Sequence, residues 1–279
     1  MSIKQQAKEN FNSSKSFYKK DKLDIDLWFQ IAQIDREKLI EQYSFDHLLK
    51  GFDQNQVKLL DIGCGTAKFP SLLDRKISGD IQLQSDLLDI SEYCLEQAKQ
   101  IFDNLTHFST DKIYLSTVEN INCTVPKNRS YDLIWAIHSL YTVDLNKMAD
   151  VYQYCWDLLE SNGQFLIYQF SENSFYYKLY DFYLKKYPQP NSNIQMMTYE
   201  DTKKILDSLS LSYEETKIDF NHTIDYDNID LLEIYLKKCI LDSNVDVLAV
   251  FQDILKNYVD RDSNEYKFPQ SNSLITIKK

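Results

Sequence analysis

The chain has 279 residues and a formal net charge of −11, from 31 Lys and Arg against 42 Asp and Glu. This balance argues against a nucleic-acid partner, because Lys and Arg contacts to phosphate lead such binding. It favours a small cationic substrate instead. No apolar run approaches the length of a membrane span. The five cysteines lack C-x-x-C spacing, which predicts a reducing, cytoplasmic location and no structural zinc.

The first predicted elements are helices in the N-terminal fifty residues. Apolar residues recur at roughly helical spacing from Ile25 to Leu49, and Gly51 is a natural stop. We interpret residues 1–55 as a helical cap that contributes to a substrate pocket.

The next segment is the most informative part of the sequence. An apolar strand over 57–62 runs through Asp61 into two glycines, Gly63 and Gly65, and a helical pattern follows. Glycine permits unusual backbone angles and close approach of a ligand, and the opening helix directs unpaired N–H groups at that ligand. A dinucleotide fingerprint needs Gly or Ala where Lys68 stands. The segment therefore predicts a nucleotide-cofactor loop that is not of the dinucleotide type.

Two further strands complete the predicted cofactor side. A strand over 81–88 ends in Asp89, which can accept both ribose hydroxyls of an adenosine, and Ser91 is a plausible N-cap for the helix that follows. A third strand is predicted near 112–117, with Thr117 at its carboxyl end.

The alternation continues to residue 169. Residues 131–137 form a nearly continuous apolar run, typical of a strand buried on both faces, and a helix over 145–160 and a strand over 164–169 follow. This order predicts an α/β fold over residues 56–279, with a Rossmann-like, doubly wound, mostly parallel sheet and right-handed crossovers. In such sheets the cofactor lies beyond the carboxyl ends of the strands.

Beyond residue 170 the pattern changes to helices interrupted by irregular segments. We interpret about 172–195 and 221–268 as insertions that cover the substrate pocket. The predicted elements here are an aromatic-rich helix over 175–187, a helix after Thr198, a strand over 211–220, helices near 228–240 and 246–259, and a terminal strand over 273–277.

Together, the D-I-G-C-G-T loop and the later D-I-S-E-Y-C-L-E-Q-A segment resemble the class I S-adenosylmethionine-dependent methyltransferases. The resemblance implies S-adenosylmethionine as cofactor, with S-adenosylhomocysteine as its product. The residues that would hold it are Asp61, Gly63, Gly65, Asp89, Thr117 and Ile137.

Within that class, residues 131–143, 185–189, 198–211 and 268–279 resemble histamine N-methyltransferase. The resemblance implies transfer to a small amine or imidazole compound, places His138 where the family has a substrate-contacting glutamine, and matches Tyr141 to a pocket tyrosine. Because His138 ends the fourth predicted strand, it could accept a proton from the substrate, and we take His138 and Tyr141 as the catalytic candidates. The substrate contacts that the resemblance implies are Phe17, Asp26, Tyr176, Tyr180, Tyr187 and Gln270, with Asn272 open in place of Gln270 and Asp24 or Glu37 open in place of Asp26.

Three alternatives stay open at this point. A methyltransferase of protein, RNA or an oxygen acceptor would share the core, although the absence of an N/D-P-P-Y/F tetrapeptide after residue 137 counts against nucleic acid. A non-catalytic cofactor-binding module is the second, since a fold does not guarantee activity. A nicotinamide dehydrogenase is disfavoured by Lys68. We expect a cytoplasmic monomer that contacts neither nucleic acid nor membrane.

Overall fold

The computed structural model describes residues 25–52, 54–187 and 196–279. Its helices are α1 (Ile25–Gln42), α2 (Phe45–Lys50), α3 (Lys68–Leu73), α4 (Glu92–Phe102), α5 (Ile121–Thr124), α6 (Leu145–Leu158), α7 (Phe175–Lys186), α8 (Tyr199–Ser208), α9 (Ile229–Ile240) and α10 (Val247–Leu255). Its strands are β1 (Gln56–Ile62), β2 (Gln82–Asp89), β3 (Phe108–Leu115), β4 (Tyr131–Ile137), β5 (Leu159–Phe170), β6 (Tyr213–Asp225), β7 (Val259–Asp260) and β8 (Glu265–Lys278).

The strands form one sheet in the order β3-β2-β1-β4-β5-β8-β6, with β7 paired to β8. Neighbours from β3 to β5 are parallel, and β8 is antiparallel to both β5 and β6. Chain order reverses between β1 and β4, so a crevice opens beyond their carboxyl ends. The predicted Rossmann-like, doubly wound, mostly parallel fold is confirmed.

Alternating side chains of the parallel strands divide the core into two layers. On β4, Trp135 packs on one face with Phe69, while Ile134 faces the other with Met148. All seven residues of β4 are buried. The apolar run is continuous because helices cover both faces of this parallel strand, as the sequence indicated.

The antiparallel part of the sheet is longer than its sequence suggested. β6 and β8 pair from Tyr213–Ile277 to Asp225–Glu265, whereas the sequence indicated only 211–220 and 273–277. Polar residues such as His222 and Asn272 interrupt the apolar alternation, although both are fully buried. Residues 226–264, between these strands, carry α9 and α10.

The N-terminal helix α1 packs against β6, α9 and α3. Residues of α1 thereby reach the crevice at the carboxyl ends of β1 and β4, where Trp28 and Arg36 line the same cavity as Gly63. None of the helices within the described ranges is both long and apolar enough to cross a membrane.

Candidate cofactor and acceptor site

The glycine loop after β1 packs against the loop after β4 at the crevice. Gly63 has φ +68°, and a Cβ added there would lie 2.4 Å from the Cβ of Ser139. The Ser139 hydroxyl donates to the carbonyl of Ile62 at 2.6 Å. Gly65 also has a positive φ, +51°, but an added Cβ would meet nothing within 4 Å. Gly63 is therefore needed for contact between loops, whereas Gly65 leaves open space where a ligand can approach the backbone.

Asp89 at the end of β2 is held by backbone donors. Its Oδ2 accepts the N–H of Gly65 at 2.9 Å, and its Oδ1 accepts the N–H of Ser91 at 2.9 Å. Burial raises the pKa of this carboxyl, and the two backbone hydrogen bonds oppose that shift. Each carboxylate oxygen keeps a second acceptor direction, so Asp89 can still accept the two hydroxyls of a ribose.

Asp61 is the second acid of the crevice and is only 4% exposed. Burial raises its pKa to about 7, the nearby charge of Asp89 adds to the shift, and Arg36 opposes it. A ligand cation placed beside Asp61 would favour the ionised form.

These residues line a cavity of about 450 Å³. Small-molecule and cofactor sites occupy roughly 300–1,000 Å³, so the crevice fits a nucleoside-sized ligand. The structure places all six predicted cofactor residues on its wall: Asp61, Gly63, Gly65, Asp89, Thr117 and Ile137. Within the described ranges, no cluster of three or more His, Cys, Asp or Glu could hold a metal ion.

A smaller cavity of about 80 Å³ adjoins the first. The two cavities share Trp28, Arg36, His138 and Tyr141. Both predicted catalytic residues therefore lie at the boundary between the cavities. The predicted substrate residue Tyr176 lines the smaller one.

His138 directly follows β4 and has φ +53°, which is uncommon for a residue other than glycine. Its N–H donates to the carbonyl of Tyr168 at 2.9 Å, and its ring meets the Tyr168 ring edge-on at a centroid distance of 4.5 Å. Burial lowers the pKa of His138, while the carboxylate of Asp35 opposes that shift. Burial therefore favours the neutral imidazole, the form that can accept a proton.

Asp35 of α1 is a site residue that sequence reasoning missed. It is 2% exposed and lines the smaller cavity. Burial raises its pKa, but His222 and His138 outweigh that effect and hold the pKa well below its usual range. Trp28, Ala32 and Asp35 share one face of α1, so a carboxylate on an otherwise apolar helix face was the available signal.

The other predicted substrate residues are more dispersed. Tyr180 is buried in the core beneath α7, and Tyr187 at the end of that helix is 39% exposed. Gln270 is buried on β8 and its Nε2 donates to the hydroxyl of Tyr235 at 3.0 Å. None of these three is among the described residues that line either cavity. Phe17 and the side chain of Asp26 lie outside the described residues.

Comparison with known proteins agrees with this geometry. Residues 60–165 match the sequence model of a family described as methyltransferase domain. No curated protein sequence matches the chain.

Solved structures with the same fold have low sequence identity to it. The YcgJ protein from Bacillus subtilis is 12% identical with a TM-score of 0.55, over 88% of this chain and 98% of that one. A cyclopropane-fatty-acyl-phospholipid synthase-like protein from Lactobacillus casei is 12% identical with a TM-score of 0.57, over 91% and 92%. The plantazolicin methyltransferase BpumL, solved with a pentazolic desmethylPZN analog and SAH, is 14% identical with a TM-score of 0.55, over 99% and 98%. The chain therefore has the fold of these structures and carries a methyltransferase-domain match over residues 60–165, which supports the prediction of an S-adenosylmethionine-dependent methyltransferase.

Proposed function

We propose that this protein is an S-adenosylmethionine-dependent N-methyltransferase that acts on a small amine or imidazole compound. The observation that carries the proposal is the pair of adjoining cavities. The larger one contains all six predicted cofactor residues, and it meets the smaller one at His138 and Tyr141.

In this proposal the larger cavity holds the cofactor. Asp89 would accept hydrogen bonds from the ribose hydroxyls, Asp61 would pair with the cationic amino group, and Thr117 would hold the adenine end. The backbone at Gly65 leaves room for close approach. The bound cofactor would supply an electrophilic methyl group on a sulfonium, and the acceptor nitrogen takes that methyl as the carbon–sulfur bond breaks and sulfur keeps its electron pair, leaving S-adenosylhomocysteine.

The smaller cavity orients the acceptor. Its wall carries four aromatic side chains, which are Trp28, Tyr141, Phe170 and Tyr176. Aromatic faces bind flat or cationic groups by stacking and cation–π contact. Holding the acceptor in line with the methyl group supplies roughly 7–11 kcal/mol of barrier reduction in favourable cases.

The proposal extends to the organisation of the chain. Residues 1–55 act as a cap, and residues 172–195 and 221–268 cover the acceptor. Trp28 from the first segment, Tyr176 from the second and Cys239 from the third line the smaller cavity, which supports this division. We further propose that the protein is cytoplasmic and works as a monomer. Sedimentation velocity of the purified chain tests the monomeric state.

A binding measurement and a transfer screen test the function together. Isothermal titration with S-adenosylhomocysteine measures binding, and a screen over histamine, other imidazoles, amino acids and biogenic amines measures transfer. Asp89→Ala should abolish binding, whereas His138→Ala should bind normally and transfer more slowly. Tight binding without transfer across the panel would instead indicate a non-catalytic module. Transfer to hydroxyl compounds or proteins alone would replace the amine acceptor.

A further inference from the structure

Behind His138 lies a buried hydrogen-bond network that links three distant parts of the chain. Asp35 Oδ1 lies 3.2 Å from His138 Nε2 and accepts from Asn272 Nδ2 at 3.0 Å. Asp35 Oδ2 lies 2.8 Å from His222 Nε2. All four side chains are buried or nearly so, so the donors and acceptors that face one another must pair within the protein.

The available hydrogen atoms fix the tautomer of His138. Asn272 Nδ2 has two hydrogens but three contacts, to Asp35 Oδ1 at 3.0 Å, the Tyr168 hydroxyl at 3.1 Å and His138 Nε2 at 3.2 Å. Tyr168 donates its own hydrogen to the backbone carbonyl of Asp35 at 3.2 Å. Because Asn272 has no third hydrogen for His138 Nε2, that nitrogen is the donor to the ionised Asp35. Nδ1 of His138 therefore carries a lone pair.

On the other side of Asp35, the hydrogen bond also runs from a histidine to the carboxylate. His222 Nε2 donates to Asp35 Oδ2, since an ionised carboxylate can only accept. His222 Nδ1 then accepts from the hydroxyl of Tyr235 at 3.1 Å. Asp35 is thus held from two sides, and its orientation toward His138 does not depend on a ligand.

We infer that Asp35 is a positioning residue that keeps the proton of His138 on Nε2, so that Nδ1 accepts the proton released by the methylated nitrogen. The inference rests on the proposed function. As the new N–C bond forms, the acceptor nitrogen becomes positively charged. Its N–H bond then breaks, the electron pair stays on nitrogen, and the proton passes to His138 Nδ1. The resulting imidazolium lies beside the negative charge of Asp35, which stabilises it.

The pH response of His138 depends on the groups around it. Those that face it are Asp35 and Arg36 from α1, Tyr168 from β5 and His222 from β6. Removing the carboxylate lowers the pKa of His138, because Asp35 is the group that raises it against burial. Asp35→Asn should therefore move the acidic limb of the pH–rate profile to lower pH. It should also reduce kcat by about 10²-fold or more, the usual contribution of a positioned base.

The test measures the tautomer of His138 by NMR and the rate of methyl transfer by kinetics. Long-range ¹⁵N–¹H spectra of the ligand-free protein resolve its four histidines, and His138→Asn assigns the signal of interest. Wild type should show His138 protonated on Nε2, and Asp35→Asn should shift the proton toward Nδ1. Asp35→Glu keeps the charge and should keep the wild-type tautomer with a smaller loss of kcat. Cofactor affinity should change by less than about twofold in each variant, because Asp35 does not line the larger cavity.

Asp132→Asn is the matched control. Asp132 is also a buried acid, 9% exposed, but it accepts the N–H of Lys58 at the other end of β4. It should leave the tautomer, the pH limb and kcat unchanged.

Two results would overturn the inference. One is a wild-type His138 protonated on Nδ1, which needs no variant to be folded. The other is an Asp35→Asn protein with an unchanged tautomer and pH limb. If wild type transfers no methyl group to any acceptor, the proposed function fails, while the spectra still decide the role of Asp35.

Discussion

Alanine substitutions at Gly63 and Gly65, in the loop after β1, and at Gly79, outside that loop, separate the loop's contribution to stability from its contribution to ligand binding. Gly63, Gly65 and Gly79 all have positive φ, at +68°, +51° and +84°. An alanine at each position therefore pays the left-handed strain of an L-residue, about 1–2 kcal/mol. At Gly65 and Gly79 an added Cβ meets nothing within 4 Å, so strain is the whole expected loss of stability.

Gly63→Ala should cost more than either of the others. Its Cβ would lie 2.4 Å from the Cβ of Ser139, whereas ordinary contact begins at 3.4 Å, so the loops after β1 and β4 must move apart. Overpacking of this kind adds about 1–3 kcal/mol, which brings the expected loss to about 2–5 kcal/mol. Ser139→Gly in the Gly63→Ala background should recover part of that loss, because it removes the atom that clashes.

Urea denaturation measures the stabilities, and titration with S-adenosylhomocysteine measures binding. Gly79→Ala should bind like wild type, while Gly65→Ala, at equal stability, should bind more weakly because its methyl group enters the space where the backbone meets the ligand. A Gly63→Ala protein as stable as Gly79→Ala would refute the loop contact. A Gly65→Ala protein that binds as tightly as Gly79→Ala would show that Gly65 does not face the ligand.

Three further predictions concern the acids and aromatics. The pKa of Asp61 is about 7 without ligand, so cofactor affinity should fall by up to tenfold per pH unit below pH 7, as the carboxyl takes up a proton. Binding titrations between pH 5.5 and 8.5 should show this slope in wild type and its loss in Asp61→Asn. Tyr176→Leu should raise acceptor KM at unchanged cofactor affinity, whereas Tyr180→Leu should mainly reduce the free energy of unfolding. Arg129→Met should cost about 3 kcal/mol in urea denaturation and leave binding unchanged. It removes the cation 2.7 Å from the 1% exposed Asp86, which then keeps only neutral donors such as Tyr131 and the Lys112 N–H.

The lining of the larger cavity could be predicted because its signals are local in sequence. The parallel strands β2 and β4 each end in a residue that lines the crevice, Asp89 in β2 and Ile137 in β4. A parallel sheet brings those ends together whatever the rest of the chain does. The sequence suggested that both glycines allow close approach of a ligand. In the structure Gly63 allows contact with Ser139, and only Gly65 leaves open space.

The lining of the smaller cavity could not be predicted in the same way, because it is built from long-range contacts. Asp35 and Asn272 are 237 residues apart, yet they share a hydrogen bond at 3.0 Å. Aligning single residues to a remote family at such distances is sensitive to register, and the open choice between Gln270 and Asn272 shows this. In the structure Asn272 contacts His138, whereas Gln270 contacts Tyr235.

The strained backbone of His138 explains how the two sides meet. A residue with φ +53° costs about 1–2 kcal/mol, and it persists only where its surroundings fix it. Here the Tyr168 carbonyl holds the N–H and Asp35 holds the ring. The turn sends the chain away from the direction of β4 and places the imidazole on the wall of both cavities. Changes at Asp35 should therefore alter acceptor chemistry through His138 while the cofactor wall at Asp89 stays intact.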